Sequence, residues 1–258
     1  MSAARLRIAM GQTLVTPGVP ESNLARAEAM IAHAAASGAT AIVLPETLDL
    51  GWTFGAAGGM AEPLPGPHST RLCDAARRYG LVVAAGLTER DGAAIFNSAV
   101  LIDADGRIAA IHRKIAELDF ARAIYATGSN LGVADTAIGR VGLSICADLW
   151  TPVLGLAQGA MGAGILLSPC AWAVPPGFDN KTTPYGGEWL ASYRAIAEAY
   201  AVPVVGVSNV GPVSSGAWSG YSCIGASIAI DSDLSVAGRG PFGANAESLV
   251  IAEVTMPG

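Results

Sequence analysis

Charged residues are scarce in this chain: Asp, Glu, Lys and Arg make up 14% of its 258 residues. Disordered segments are usually rich in charge, so this composition disfavours long disordered tails. Apolar runs long enough to cross a bilayer, about 18 residues or more, are also missing, because Gly, Pro, Ser or Thr interrupts each apolar stretch. The mean hydropathy of +0.44 owes much to alanine, and it does not predict contact with a membrane.

Basic residues are fewer than acidic ones, 15 against 21, which gives a formal net charge of −6. Proteins that bind nucleic acid usually carry a basic excess or a basic stripe, whereas here the basic residues form isolated pairs such as Arg77-Arg78. We therefore expect no nucleic-acid partner. The first residues are not followed by an apolar core and a cleavage site, which predicts no signal peptide and a cytoplasmic protein.

Cysteine is rare and widely spaced: the four cysteines include no CxxC pair, and they are Cys73, Cys146, Cys170 and Cys223. This pattern predicts reduced thiols rather than disulfides. No cluster of His, Cys, Asp and Glu has the spacing of metal ligands, so we expect no metal. Residues 238–243 match GxGxxG by accident, because Pro241 lies inside the motif and no helix is predicted after it. We expect no cofactor.

Predicted strands alternate with predicted helices along the whole chain, and two hairpin strands interrupt the alternation. This order favours one α/β domain over residues 1–258 with mixed sheets rather than a purely parallel sheet. The helical spacing of apolar residues predicts helices over 21–37, 69–79, 153–161 and 188–200. Short apolar runs predict strands over 6–10, 41–44, 81–87, 97–102, 107–112, 139–145, 165–167, 202–207, 224–231 and 249–254.

Three chemically capable residues each follow a predicted strand: Glu46, Lys114 and Cys146. Reactive side chains in α/β folds tend to lie just beyond the strand ends, so these three are candidates for one site. Taken singly, each has an ordinary explanation, since a loop Glu or Lys is usually solvated and a free Cys is usually a buried structural residue. Only their combination predicts chemistry.

Together these residues can perform nucleophilic catalysis. The Cys146 thiol is a weak nucleophile until a base removes its proton, and the Glu46 carboxylate can be that base. The oxyanion that follows attack on a carbonyl needs fixed donors. Lys114 can supply a charged donor, and the backbone N–H of Ala147 can supply a second one.

These residues lie within motifs that resemble the nitrilase superfamily of carbon–nitrogen hydrolases. The three main motifs are residues 42–46 (IVLPE), 112–115 (HRKI) and 142–148 (GLSICAD), and residues 167–172, 194–198 and 207–209 continue the pattern in order. The resemblance runs from about residue 5 to about residue 254. It implies an αββα sandwich with two mixed β-sheets between helical layers, a homodimer or higher homo-oligomer, and a catalytic set of Glu46, Lys114 and Cys146 that acts on amides, N-carbamoyl compounds or nitriles.

The chain departs from the family pattern at one position. Family members usually carry a further Glu after the lysine, and here that position is Ala121. Glu117 and Asp119 are close in sequence but out of register. We expect one of these two acids to compensate, and Glu117 is preferred because its side chain is longer.

The substrate is expected to be a small molecule held beside aromatic residues. Trp52, Trp150 and Trp172 each lie a few residues from a proposed active strand end, and Cys170 falls in the same zone. Ligand sites are mostly apolar with few polar groups, so these four residues are candidates for the substrate pocket.

Three alternatives remain open from the sequence. His112 shares a strand face with Lys114, so a Cys146–His112 dyad is a rival mechanism. The enzyme can be a nitrile hydrolase of the same family instead of an amidase. The loss of an acid at Ala121 also fits a catalytically impaired homologue that is retained for binding or assembly.

Overall fold

The computed structural model describes residues 4–257. Within these residues, five α-helices are formed by Pro20–Ala36 (α1), Ala57–Met60 (α2), Pro67–Tyr79 (α3), Val153–Ala160 (α4) and Gly187–Tyr200 (α5). Fifteen strands are formed by Arg5–Gln12 (β1), Ala41–Val43 (β2), Val82–Asp91 (β3), Ala94–Ile102 (β4), Ile108–Arg113 (β5), Val133–Thr136 (β6), Gly139–Leu143 (β7), Ile165–Cys170 (β8), Ala173–Val174 (β9), Val204–Ser208 (β10), Val210–Pro212 (β11), Ser222–Ile224 (β12), Ile228–Ile230 (β13), Val236–Arg239 (β14) and Ser248–Thr255 (β15).

Two six-stranded sheets form the centre of the molecule. The first has the order β15-β1-β2-β3-β4-β5, and the second has the order β14-β13-β10-β8-β7-β6. In each sheet three neighbouring strands run parallel, β1-β2-β3 in the first and β7-β8-β10 in the second, while the outer strands pair antiparallel. Both sheets are therefore mixed, and their parallel centres align several carboxyl strand ends at one edge.

The two sheets pack face to face between two layers of helices. Along β1, Ile8 and Met10 lie in the core between the sheets, whereas Ala9 between them lies in the core under α1 and α3. This alternation is the period of two that a strand imposes on its side chains. On the other side, Tyr193 and Ile196 of α5 are buried against the second sheet. The expected α/β fold with an αββα sandwich is confirmed.

Most predicted elements are present with shifted ends, and one prediction is wrong. Residues 224–231 form two strands, β12 and β13, because Gly225 and Ala226 between them have φ values of 62° and 57° and turn the chain. The helix predicted from residue 69 begins at Pro67, and the Ser69 hydroxyl accepts a hydrogen bond from the Gly66 N–H at 2.9 Å. Between residues 4 and 257, no helix combines the length and apolar character needed to cross a bilayer.

Candidate active site

The fold brings the three candidate residues to one edge of the two sheets. Glu46 follows β2, Lys114 follows β5 and Cys146 follows β7. The Glu46 N–H donates to the Cys170 carbonyl at the end of β8, at 3.2 Å, which joins the two sheets beside the site. Gly86 of β3 lies under this turn, and a Cβ there would be 2.5 Å from the Glu46 Cα. A side chain at Gly86 would therefore displace the carboxylate.

Lys114 is buried and pairs with two carboxylates. Its side chain is 2% exposed, and its Nζ lies 2.7 Å from Oε1 of Glu46 and 3.5 Å from Oε2 of Glu117. Burial alone would lower the pKa of Lys114, but the charges of Glu46 and Glu117 outweigh it and hold that pKa well above its usual range. The ammonium is therefore charged. It has three N–H donors, so one N–H remains available when the other two are directed at Glu46 and Glu117.

Of the two acids expected to stand in for the one missing at Ala121, Glu117 is the one that lies beside Lys114. Its carboxylate is buried beside Lys114, and burial, partly offset by Lys114, raises its pKa. Ala121 is a fully buried residue of the apolar cluster around Trp52. Asp119, the less preferred of the two candidates, lies away from Lys114: its side chain is 99% exposed and pairs with Arg122 at 3.8 Å. The irregular chain after β5 turns Glu117 inward and Asp119 outward.

Asn97 of β4 holds the two carboxylates in place, a role that no sequence pattern predicted. Its Nδ2 donates to Oε1 of Glu46 at 2.6 Å and to Oε1 of Glu117 at 3.0 Å. Its backbone carbonyl accepts the N–H of Lys114 at 2.9 Å. One strand residue thus contacts all three charged members of the site.

Cys146 is held in an unusual backbone conformation at the start of a short 3₁₀ helix. Its φ is +45°, a region that non-glycine residues rarely adopt, and such strain is concentrated at functional sites. The Cys146 N–H donates to the Ser168 Oγ at 3.0 Å. Within the described residues, the next N–H, that of Ala147, has no hydrogen-bond acceptor and is free to bind an external oxygen.

The surroundings of the Cys146 thiol favour its neutral form. Burial, together with the neighbouring Cys170 thiol and the charge of Glu46, raises the pKa of Cys146 well above its usual range, against the opposing charge of Lys114. A base is needed to remove the proton at the moment of attack.

His112 does not form a dyad with Cys146. Its Nε2 lies 2.7 Å from Oδ2 of Asp148, and the other oxygen of Asp148 accepts the N–H groups of Ile115 and Ala116 at 3.0 and 2.7 Å. Burial opposes ionisation of Asp148, yet the hydrogen bond from His112 and its charge hold the Asp148 pKa below its usual range. This network ties the segment that carries Lys114 to the turn that carries Cys146.

A cavity of about 170 Å³ opens onto Cys146, Ala147 and Lys114. Its walls are aromatic and include all five tryptophans of the chain, Trp52, Trp150, Trp172, Trp189 and Trp218, together with Tyr185. The sequence placed three of these in the pocket and missed Trp189 and Trp218, which come from distant segments that carry no local signal. Cys170 was expected to line the pocket and does not, because its buried side chain lies in the core between the sheets.

The charged groups of the site pair with one another, since Lys114 contacts both Glu46 and Glu117. Over residues 4–257, no three His, Cys, Asp or Glu side chains form a group that could hold a metal ion. The chemistry available is that of a thiol, a base and an ammonium donor in a poorly solvated pocket.

Relatives with known names share parts of this sequence. A bifunctional nitrilase/nitrile hydratase from Nicotiana tabacum is 32% identical over 171 residues, which are 58% of this chain and 49% of that protein. An omega-amidase from Danio rerio is 27% identical over 231 residues, 86% of this chain and 81% of that protein. The chain thus spans about half the length of the tobacco protein and most of the fish protein.

Solved structures share the fold over nearly the whole chain. A carbon-nitrogen hydrolase from Helicobacter pylori has a TM-score of 0.86 at 21% identity, covering 97% of this chain and 89% of that one. An amidase from a Nesterenkonia species has a TM-score of 0.81 at 21% identity, covering 99% and 92%. The family model described as carbon-nitrogen hydrolase matches residues 7–258. The chain therefore belongs to the carbon-nitrogen hydrolase family, within the nitrilase superfamily that its motifs resemble.

Proposed function

We propose that this protein hydrolyses the carbon–nitrogen bond of a small amide through a thioester on Cys146, with Glu46 as the base and Lys114 as a charged donor. The observation that carries the proposal is the buried Lys114–Glu46 pair, 2.7 Å apart, whose lysine lines the same cavity as Cys146. An ion pair this deeply buried is costly to maintain. Its place beside a strained, neutral thiol supports a catalytic role rather than a structural one.

The first half-reaction uses the two charged groups in sequence. Glu46 takes the Sγ proton of Cys146 while the sulfur forms a bond to the amide carbon. The oxygen of that carbon becomes negative and accepts hydrogen bonds from the free N–H of Lys114 and the N–H of Ala147. Glu46 then gives the proton to the nitrogen, the carbon–nitrogen bond breaks, and ammonia or an amine leaves a thioester on Cys146.

The second half-reaction reverses these roles with water in place of the thiol. Glu46 takes a proton from the water while its oxygen attacks the thioester carbon, and the same donors hold the second oxyanion. The carbon–sulfur bond breaks, and Cys146 recovers its proton. The sum is amide plus water giving carboxylic acid plus ammonia or amine, with the protein unchanged.

Nitrile hydrolysis is a second candidate because the tobacco relative is named for it. A nitrile needs no leaving amine in its first step, but it reaches the same thioester after one added water. The same residues would serve both reactions. An impaired homologue is less well supported, because Glu117 supplies a second carboxylate beside Lys114 despite the alanine at position 121.

A screen of small primary amides, N-carbamoyl compounds and nitriles tests the proposal by released ammonia. Wild type is expected to hydrolyse at least one of the amides, and Cys146→Ala is expected to hydrolyse none. The thioester should add the acyl mass to the wild-type chain in a rapid quench, with no such adduct in Cys146→Ala. Turnover that persists in Cys146→Ala would refute the mechanism, and turnover of nitriles alone would replace the amide by a nitrile.

We also propose that the protein assembles as a homodimer or higher homo-oligomer. Val153 of α4 is 65% exposed and Trp150 just before it is 45% exposed, so this helical face presents apolar surface to solvent. Light scattering at micromolar concentration should give at least twice the 26.0 kDa mass of one chain. A monomer mass would contradict the assembly and would leave the proposed chemistry untouched.

A further inference from the structure

The cavity beside Cys146 is bounded by two connected groups of aromatic rings. In the first group, Trp189 stacks on Trp172 with ring centroids 4.9 Å apart and packs against Trp150 at 5.4 Å. In the second group, Trp52 and Trp218 meet edge to face at 5.2 Å. Because each ring is held by another ring, the walls are rigid and keep their faces and edges in fixed orientations.

The charges around this cavity favour a positive ligand. The lining contains one basic side chain, Lys114, and its charge is already matched by Glu46 and Glu117. The remaining charged residue of the lining is Glu188, which is exposed on the first turn of α5. Glu188 forms no ion pair or side-chain hydrogen bond with any residue from 4 to 257, so its charge is uncompensated at the rim.

An anionic substrate would meet no complementary group here. A carboxylate bound near the reacting carbon needs an Arg, a Lys or several free N–H donors. Lys114 and the Ala147 N–H are in the lining, but the proposed reaction uses both of them to bind the oxyanion. The carboxylate would also meet the charge of Glu188. A cation instead gains from the negative faces of the indole rings and from the carboxylate, as in the aromatic cages that bind quaternary ammonium groups.

Glu188 has an ordinary explanation as well, since an acid in the first turn of a helix stabilises the helix dipole. That role would be served equally by an acid facing away from the cavity. Glu188 instead lies in the lining next to Trp189, one of the ring residues. A dipole role alone also predicts no dependence of ligand binding on ligand charge, which makes the two explanations separable.

We infer that the substrate is a small amide whose acyl part carries an ammonium group, held between the tryptophan walls with Glu188 as its counter-ion. This inference names the substrate class of the proposed reaction and therefore rests on the proposed function. The cavity of about 170 Å³ limits the acyl part to a few heavy atoms, because a cavity of about 150 Å³ holds one benzene.

Two amides of the same shape, one cationic and one neutral, separate the effect of ligand charge on binding from the effect of ligand shape. The compound 2-(trimethylammonio)acetamide differs from 3,3-dimethylbutanamide only by a positive nitrogen in place of the quaternary carbon, and malonamate supplies the anion. Binding is measured on Cys146→Ala, which cannot form the thioester, by calorimetry and by tryptophan fluorescence. We expect the cation to bind at least tenfold more tightly than its neutral isostere and the anion to bind most weakly. Equal or tighter binding of the neutral amide, or of malonamate, would overturn the inference.

Adding Glu188→Gln to Cys146→Ala tests the counter-ion. The ratio of neutral to cationic Kd is expected to fall about fivefold, whereas Glu198→Gln, an exposed acid of the same helix outside the lining, should leave that ratio unchanged. A ratio that Glu188→Gln does not change would overturn the role of Glu188. If Glu188→Gln loses the native circular dichroism, Trp150→Leu replaces it, because leucine keeps apolar contact but lacks the ring face, and an unchanged ratio there would overturn the cage.

The proposed amide hydrolysis is tested separately from the cation site, by measuring ammonia release by the wild-type protein. Charge-selective binding by Cys146→Ala without hydrolysis by wild type would retain the cation site and reject the amidase reaction. Hydrolysis of neutral amides with no preference for the cation would retain the reaction and reject the inferred substrate class.

Discussion

The side-chain amide of Asn97 donates to Oε1 of Glu46 across 2.6 Å, deep in the protein and beside the lysine that the same oxygen binds at 2.7 Å. Two donors therefore converge on one carboxylate oxygen. The other oxygen of Glu46 is buried without a hydrogen-bond partner among the described residues. In the proposed reaction this is the oxygen left available to take the proton of Cys146.

The amide of Asn97 should therefore be required for activity. In Asn97→Leu both carboxylates lose a neutral donor, and leaving buried polar groups unpaired costs about 1–3 kcal/mol of stability. We expect kcat/KM to fall about tenfold or more, as for the loss of an orienting contact, with a lower unfolding midpoint in urea. Asn130→Leu, at an exposed asparagine, is the matched control and should change neither quantity. Wild-type kcat/KM in a folded Asn97→Leu would contradict the role.

Glu117 and Asp119 provide a test and its control for the role of a second acid beside Lys114. Glu117→Gln keeps the shape of the side chain but removes one of the two charges facing Lys114, so we expect kcat/KM to fall about tenfold or more. Asp119→Asn removes an exposed charge and should match wild type. The measurement is steady-state kinetics on the best amide from the screen. Equal kcat/KM in all three proteins would mean that Lys114 and Glu46 need no second acid.

The strands and the candidate triad were predictable because their signals are local or lie in the family motifs. Glu46, Lys114 and Cys146 each follow an apolar run, and the carboxyl ends of such runs meet at one edge of a sheet. The choice of Glu117 over Asp119 depended on how an irregular segment turns after β5, for which neither residue carries a periodic pattern. The sequence could rank the two only by side-chain length.

Asn97 and the cavity walls could not be predicted for a different reason. A single asparagine inside a strand has no spacing that marks it, and its partners Glu46 and Glu117 are 51 and 20 residues away. Trp189 and Trp218 reach the cavity only through the packing of α5 and of the loop before β12. The misplacement of Cys170 has the same origin, since proximity in sequence to Trp172 does not fix which face of β8 a side chain occupies.

Lys114 should be needed for turnover while the other lysine of the chain is not. Removing one oxyanion donor costs about 10²–10³ in kcat, so Lys114→Met should lower kcat by that factor. Removing one partner of a buried ion pair also lowers the free energy of unfolding by about 3–5 kcal/mol. Circular dichroism and the urea unfolding midpoint must therefore be measured together with kcat, to show that the variant is folded. Lys181→Met, at an exposed position, is the control. A folded Lys114→Met with near-wild-type kcat would show that Lys114 has no role as a donor.

The raised pKa of Cys146 makes a prediction about the resting enzyme. Burial, the Cys170 thiol and the Glu46 charge all favour the protonated sulfur, so the thiolate fraction at pH 7 should be smaller than for a free cysteine of pKa about 8.5. Alkylation of Cys146 by iodoacetamide without substrate should therefore keep rising through pH 9, where free glutathione already begins to level off. The rate is followed by intact mass, and Cys146→Ala corrects for the half-buried Cys73.

The pH at which the alkylation rate of Cys146 stops rising distinguishes two mechanisms. If Cys146 were a preformed thiolate paired with Lys114, its alkylation rate would reach a plateau below pH 8, and Glu46 would not be needed to start the reaction. If the thiol is neutral, attack on the substrate needs Glu46 to take the proton. Glu46→Gln should then abolish thioester formation even at pH 9 while the chain stays folded. Thioester formation by Glu46→Gln at a rate near that of wild type would assign the base to another group.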